Sequence, residues 1–99
     1  ERYEIMTSEY KVLEKEREVL KQRLARLKHH MWGVKFEKNK AKEMSEILLN
    51  AHRLIKNPNM LGAFSDVESI KDETMKLKFA NKSLDRVTEI ILQKKQDNN

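Results

Sequence analysis

Residues 3–34 read YEIMTSEYKVLEKEREVLKQRLARLKHHMWGV, and alternate steps of three and four fall on Tyr3, Met6, Tyr10, Leu13, Arg17, Leu20, Leu24, Leu27, Met31 and Val34. Nine of these ten are apolar or aromatic. On a helix such positions form a narrow stripe that the helix cannot cover by itself, so the pattern predicts a seam against a second helix. The expected arrangement is a parallel two-stranded coiled coil over residues 1–30, the partner being another copy of the chain or a related coiled-coil chain. Arg17 stands in the middle of the seam, where its stem can pack while the guanidinium reaches water. A charged seam residue weakens the coil locally and helps to set register.

The rest of the chain extends this helical theme. Of 99 residues, 37% are charged and 38% hydrophobic, with two glycines, one proline and no cysteine. So few breakers predict an all-α chain, helical nearly throughout. A chain this short builds a thin core alone, which again points to partner helices. The absence of cysteine excludes a disulfide framework and thiolate metal sites. No apolar run reaches the ~18 residues of a membrane span, and no signal peptide is recognisable. A cytoplasmic location, with cytoskeletal association, is expected. The chain opens in the middle of its heptad pattern and reads as a segment of a longer protein.

The first helix is predicted to run unbroken from Tyr3 to Lys56, about 80 Å at 1.5 Å per residue. Gly33 is the one weak point within it, costing roughly 1 kcal/mol relative to alanine. Beyond Val34 the apolar phase shifts by three residues, to Ala41, Met44, Leu48, Ala51 and Ile55 with Ile47 and Leu54 alongside. That wider stripe suits a helix with several neighbours. Asn57-Pro58-Asn59 should stop the helix. Met60-Leu61-Gly62-Ala63-Phe64 forms a short apolar link, and Ser65-Asp66-Val67-Glu68 reads as a capping box.

A second helix then runs to about Lys95, with residues 96–99 a disordered tail. It carries Ile70, Leu77, Leu84, Val87 and Ile91 toward a bundle core shared with Met44, Leu48, Ala51 and Ile55, while Thr74, Asn81 and Thr88 take the remaining seam positions. The expected fold is therefore an αα-hairpin over residues 28–95, closing through loop 57–64 and dimerising into a four-helix end. Trp32 and Phe36 should meet the far end of the second helix near Val87 and Ile91.

Charge is unevenly placed. Residues 21–56 carry ten Lys and Arg against three Glu, whereas residues 1–20 carry four against six. This basic band suits an acidic protein surface, an anionic membrane or nucleic acid. Pairing across a parallel homodimer is balanced: Glu16–Lys21′ and Glu37–Lys42′ attract, Glu9–Glu14′ and Arg23–Lys28′ repel. The candidate partner surface comprises Trp32, Phe36, Lys35, Lys38, Lys40 and Lys42, with Met60, Leu61 and Phe64 as further end-packing residues. A nucleic-acid reader would need an Asn/Arg-rich basic helix ahead of a zipper, or aromatics interleaved with the bases, and neither is present. His29, His30 and His52 lack metal-ligand spacing, and no serine sits in a nucleophile turn. No cofactor, metal site or catalysis is expected.

The layout of a long coil closed by a hairpin resembles scaffold segments of centrosomal, ciliary, kinetochore and vesicle-tethering proteins. The resemblance is one of architecture and implies a non-enzymatic oligomerisation and protein-interaction segment of a larger cytoskeletal or trafficking protein. Electrostatic binding of nucleic acid or another anionic polymer through residues 21–42 is the alternative.

Overall fold

The computed structural model describes residues 2–56 and 60–97, with side chains from Glu4 onward. It is all-helical: α1 spans Arg2–Met31, α2 Lys38–Lys56 and α3 Val67–Asp97, with one 3-10 turn at Leu61–Ala63. The long first helix expected from the sequence is two helices. α1 ends in Lys28, His29 and His30, basic residues of the kind that suit the negative end of a helix dipole. The backbone then turns, with the Val34 amide donating to the Met31 carbonyl at 3.1 Å. Gly33, third in that turn, has φ +73°, a left-handed conformation that glycine adopts without steric cost.

Contacts between side chains and backbone fix the helix directions. Arg17 of α1 reaches the Ile55 carbonyl at the end of α2, so those two helices are antiparallel. Glu43 near the start of α2 meets Arg86 in the second half of α3, another antiparallel pair. Arg23 of α1 meets Asn81 and Asp85 of α3, while Tyr10 lies edge-on to Phe64 just before α3, so α1 and α3 run parallel. The result is an up-down-up bundle 57 × 19 × 16 Å in extent, far shorter than the ~80 Å rod of an unbroken first helix.

This arrangement changes what covers the α1 seam. Leu13, Leu20, Leu24 and Leu27 are buried in one cluster with Met44, Ala51 and Leu54 of α2 and Ile70, Leu77, Leu84 and Val87 of α3. Met6, Tyr10 and Met31 pack against its margin, and the Tyr3 side chain lies outside the described residues. The seam expected to face a second chain is thus covered within its own chain. The segment 1–27 was expected to project beyond the hairpin; its described residues lie along α3 instead. Fully burying a leucine contributes about 1.5–3 kcal/mol, an incentive for fold-back that outweighs the preference for continuing the helix through one glycine.

The remaining core residues are distributed simply. Ala80, Ile90 and Ile91 are buried, and Leu48 and Ile55 are half-buried at the margin. Thr74 is the one buried polar residue among those described, and its hydroxyl donates to the Ile70 carbonyl at 2.8 Å.

At the second connection, α2 ends at Lys56 as the sequence suggested, and the expected stop at residues 57–59 lies outside the described residues. The α3 cap is displaced by one residue from the Ser65–Glu68 box. Asp66 Oδ1 accepts from the Ser69 amide at 2.9 Å and from its hydroxyl at 2.8 Å. α3 also continues through Gln96 and Asp97, two residues expected in the disordered tail.

Candidate partner-binding surface

Lys28-His29-His30 closes α1, Gly33 reverses the chain, and Lys38-Asn39-Lys40 opens α2. One end of the bundle therefore gathers much of the basic band. Trp32 lies within the turn and is 87% exposed. A side chain that large is rarely left in water without a neighbour to receive it. Beside it runs a groove of about 400 Å³ between α1 and α2, lined by Leu24, Lys28, Met31, Trp32, Leu48 and His52, with Gly33 at its edge. The floor is aliphatic and the rim carries cationic or titratable nitrogen. Such a site suits an apolar side chain presented among carboxylates.

The six residues proposed from sequence as a partner surface separate into two groups. Trp32, Lys35, Lys38 and Lys42 are exposed, and Lys40 is half-buried. Phe36 turns inward, packs against the core and lines a different groove of about 270 Å³ with Lys40, Arg86, Ile90 and Lys94. Two aromatics expected to act together are thus divided by the turn: Phe36 closes the end of the core and Trp32 remains outside. The apolar link also divides, with Leu61 and Phe64 packed on the core and Met60 69% exposed.

Arginines that the pattern treated as seam or flank residues prove to be clamps. Arg17, its side chain one-third exposed, turns its guanidinium onto α2: Nη2 and Nε donate to the Ile55 carbonyl at 2.7 and 3.3 Å, satisfying an acceptor that the end of a helix leaves open. Arg23 donates through Nη1 to the Asn81 carbonyl and side-chain oxygen at 2.7 and 2.9 Å, and through Nη2 to Asp85 at 2.7 Å. Arg86 grips Glu43 in a fork, with Nε to Oε2 at 2.7 Å and Nη2 to Oε1 at 3.2 Å. Those bonds hold the Glu43 carboxyl below the usual carboxylate range, while Glu43 raises Arg86. Burial, reinforced by a hydrogen bond to Glu14, pushes the Tyr10 phenol up. None of these clamps was legible in the heptad pattern: those of Arg17 and Arg23 depend on the fold-back at Gly33, and that of Arg86 on how α3 returns along α2.

A second apolar patch was not anticipated at all. Met75 and Phe79, 67% and 68% exposed, flank a groove of about 460 Å³ over Leu54 between α2 and α3. Their four-residue spacing on α3 is the signal that marked them. Among the described residues, no three His, Asp or Glu side chains come together as a metal-binding group, and no helix is long and apolar enough to cross a membrane.

These features define a class of structure: a three-helix bundle with a basic end tipped by an exposed tryptophan. No protein-family model matches the sequence, and neither the curated proteins nor the solved structures offer a significant match.

Proposed function

We propose that the chain is a non-enzymatic protein-interaction segment whose basic end docks an acidic, partly apolar segment of a partner protein. The observation that carries this reading is Trp32, 87% exposed beside the groove of Leu24, Met31 and Leu48. Charge supports it, with ten Lys and Arg against three Glu over residues 21–56. Aromatic anchors are enriched at interface centres, where a ring contributes a large contact area. Cationic rims around them steer acidic partners and raise association rates. In this reading the helical core is a rigid platform, and the scaffold role inferred from architecture rests on what the platform presents.

The chain has one tryptophan, so its emission reports directly on the site. Titration with an amphipathic peptide of glutamate and leucine should shift Trp32 emission to the blue. Replacing Lys28, Lys35 and Lys38 by glutamate should abolish that shift and leave helicity unchanged. No shift with the peptide, together with a salt-sensitive shift on adding single-stranded RNA, would replace this reading with nucleic-acid binding.

A further inference from the structure

The same connection that exposes Trp32 carries a second inference, independent of any docking partner. Arg17 meets Ile55, and Leu24 shares a groove with Leu48. In both pairs the residue numbers add to 72, so the register between α1 and α2 is centred on residue 36, inside the connection. Two straight helices lying antiparallel about a two-fold axis at residue 36 would reproduce every one of those pairings between chains. The contacts within one hairpin and the contacts between two extended copies are the same contacts.

Two features of the connection favour the extended form. First, one of the two apolar lines of α1 runs on through it, although its companion line shifts: Leu27, Val34, Ala41 and Leu48 are spaced by seven, as on one continuous helix. Second, α2 begins badly. Its first turn holds no acid; Glu37 stands just before it, its carbonyl accepting from the Ala41 amide, but Lys38 and Lys40 follow where the helix dipole is positive. Continuing the helix from α1 removes that end altogether. Against the extended form stand the local turn and the packing of Phe36 on the end of the core. Gly33, at φ +73°, is the one described residue in the left-handed region, and a Cβ there would touch nothing within 4 Å.

We propose that residues 32–37 are a hinge through which two copies exchange α1, each α1–α2 pair straightening into one helix from Arg2 to Lys56. The occupant of the vacated α1 position is the partner copy's α1. Such exchange conserves the core and alters only the connection, which makes it a low-cost route to a dimer.

The test is Gly33→Ala, which penalises the turn and favours the helix in both chains at once. It should lower the dimer dissociation constant by roughly two to three orders of magnitude. Sedimentation should show a dimer with undiminished helicity. Lys28 and His52 line one groove from opposite helices, and the chain has no native cysteine, so Lys28→Cys and His52→Cys chains can be mixed, refolded together and treated with a short bis-maleimide. Covalent dimers between the two kinds of chain are expected. A folded Gly33→Ala monomer overturns the proposal, as does a dimer giving no such product. If Gly33→Ala does not fold, deletion of residues 33–35, which leaves too little chain for the hairpin, should give a dimer with the same cross-link. A folded monomer there also overturns it, and lengthening the connection with Gly-Ser residues should restore the monomer.

Discussion

The two connections of this bundle reverse the chain by opposite means. Between α2 and α3 the residues themselves demand the reversal: a 3-10 turn leads to an aspartate cap, and Phe64 is pinned between the core and the Tyr10 ring at 6.2 Å. Between α1 and α2 there is no proline, and the turn holds Gly33 in a conformation that one added methyl would disfavour. The α2–α3 connection is held by its own chemistry. The α1–α2 connection is held by what it allows the helices to bury, so it is the place where the fold can be rewritten by a single residue.

That contrast can be tested by substitution. The largest effect belongs to Phe64→Ala, which empties the pinned connection of its half-buried ring and should cost about 2 kcal/mol in urea denaturation. Gly33→Ala should destabilise the closed monomer by about 1–2 kcal/mol when measured at low protein concentration, because alanine must enter the left-handed region. Gly33→Asn should cost less, since asparagine tolerates that region. Asp66→Ala removes the α3 cap and should cost about 1 kcal/mol, visible as faster amide exchange at Val67–Ser69.

Smaller still is the Glu43 effect, which concerns how the start of α2 is anchored after the weak connection. The Glu43 carboxyl is held low by its bonds from Arg86, so its contribution is complete above the ordinary carboxylate range. It is lost as pH falls through the lowered value. Wild type should therefore lose its advantage over Glu43→Gln on acidification, and a thermal melt series across acidic pH reads that convergence. Smallest is Trp32→Ala, expected to change stability by less than about 0.5 kcal/mol because the ring is exposed, yet to remove the response to an acidic peptide.

The asymmetry between connections also explains what could be read in advance. The existence of α3 was legible because a cap acts locally. The cap was misplaced by one residue because Ser65 and Asp66 are both competent, and the choice depends on where Val67 joins the helix. The break at Gly33 was weighed only as a ~1 kcal/mol defect in a long helix. The basic run Lys28, His29 and His30 immediately before it marks a helix end, and that signal is present in the sequence. What no local reading supplies is the burial that tips the balance: four leucines of α1 find their cover more than 25 residues away in sequence, in α3. For the same reason the basic band and Trp32 were visible from sequence, whereas the separation of Trp32 from Phe36 and the carbonyl grip of Arg17 were not.

The pairing of Arg23 with Asn81 and Asp85 spans 58 and 62 positions of chain. On the ribosome, the helix made first therefore waits for the helix made last before it can dock laterally. Throughout that interval its leucines lack their final cover, and contacts of such wide separation slow the closing step relative to a simple hairpin. The N-terminal segment is consequently the one most in need of protection during synthesis, and a nascent chain stalled before α3 emerges should be markedly more sensitive to protease across α1 than the finished protein.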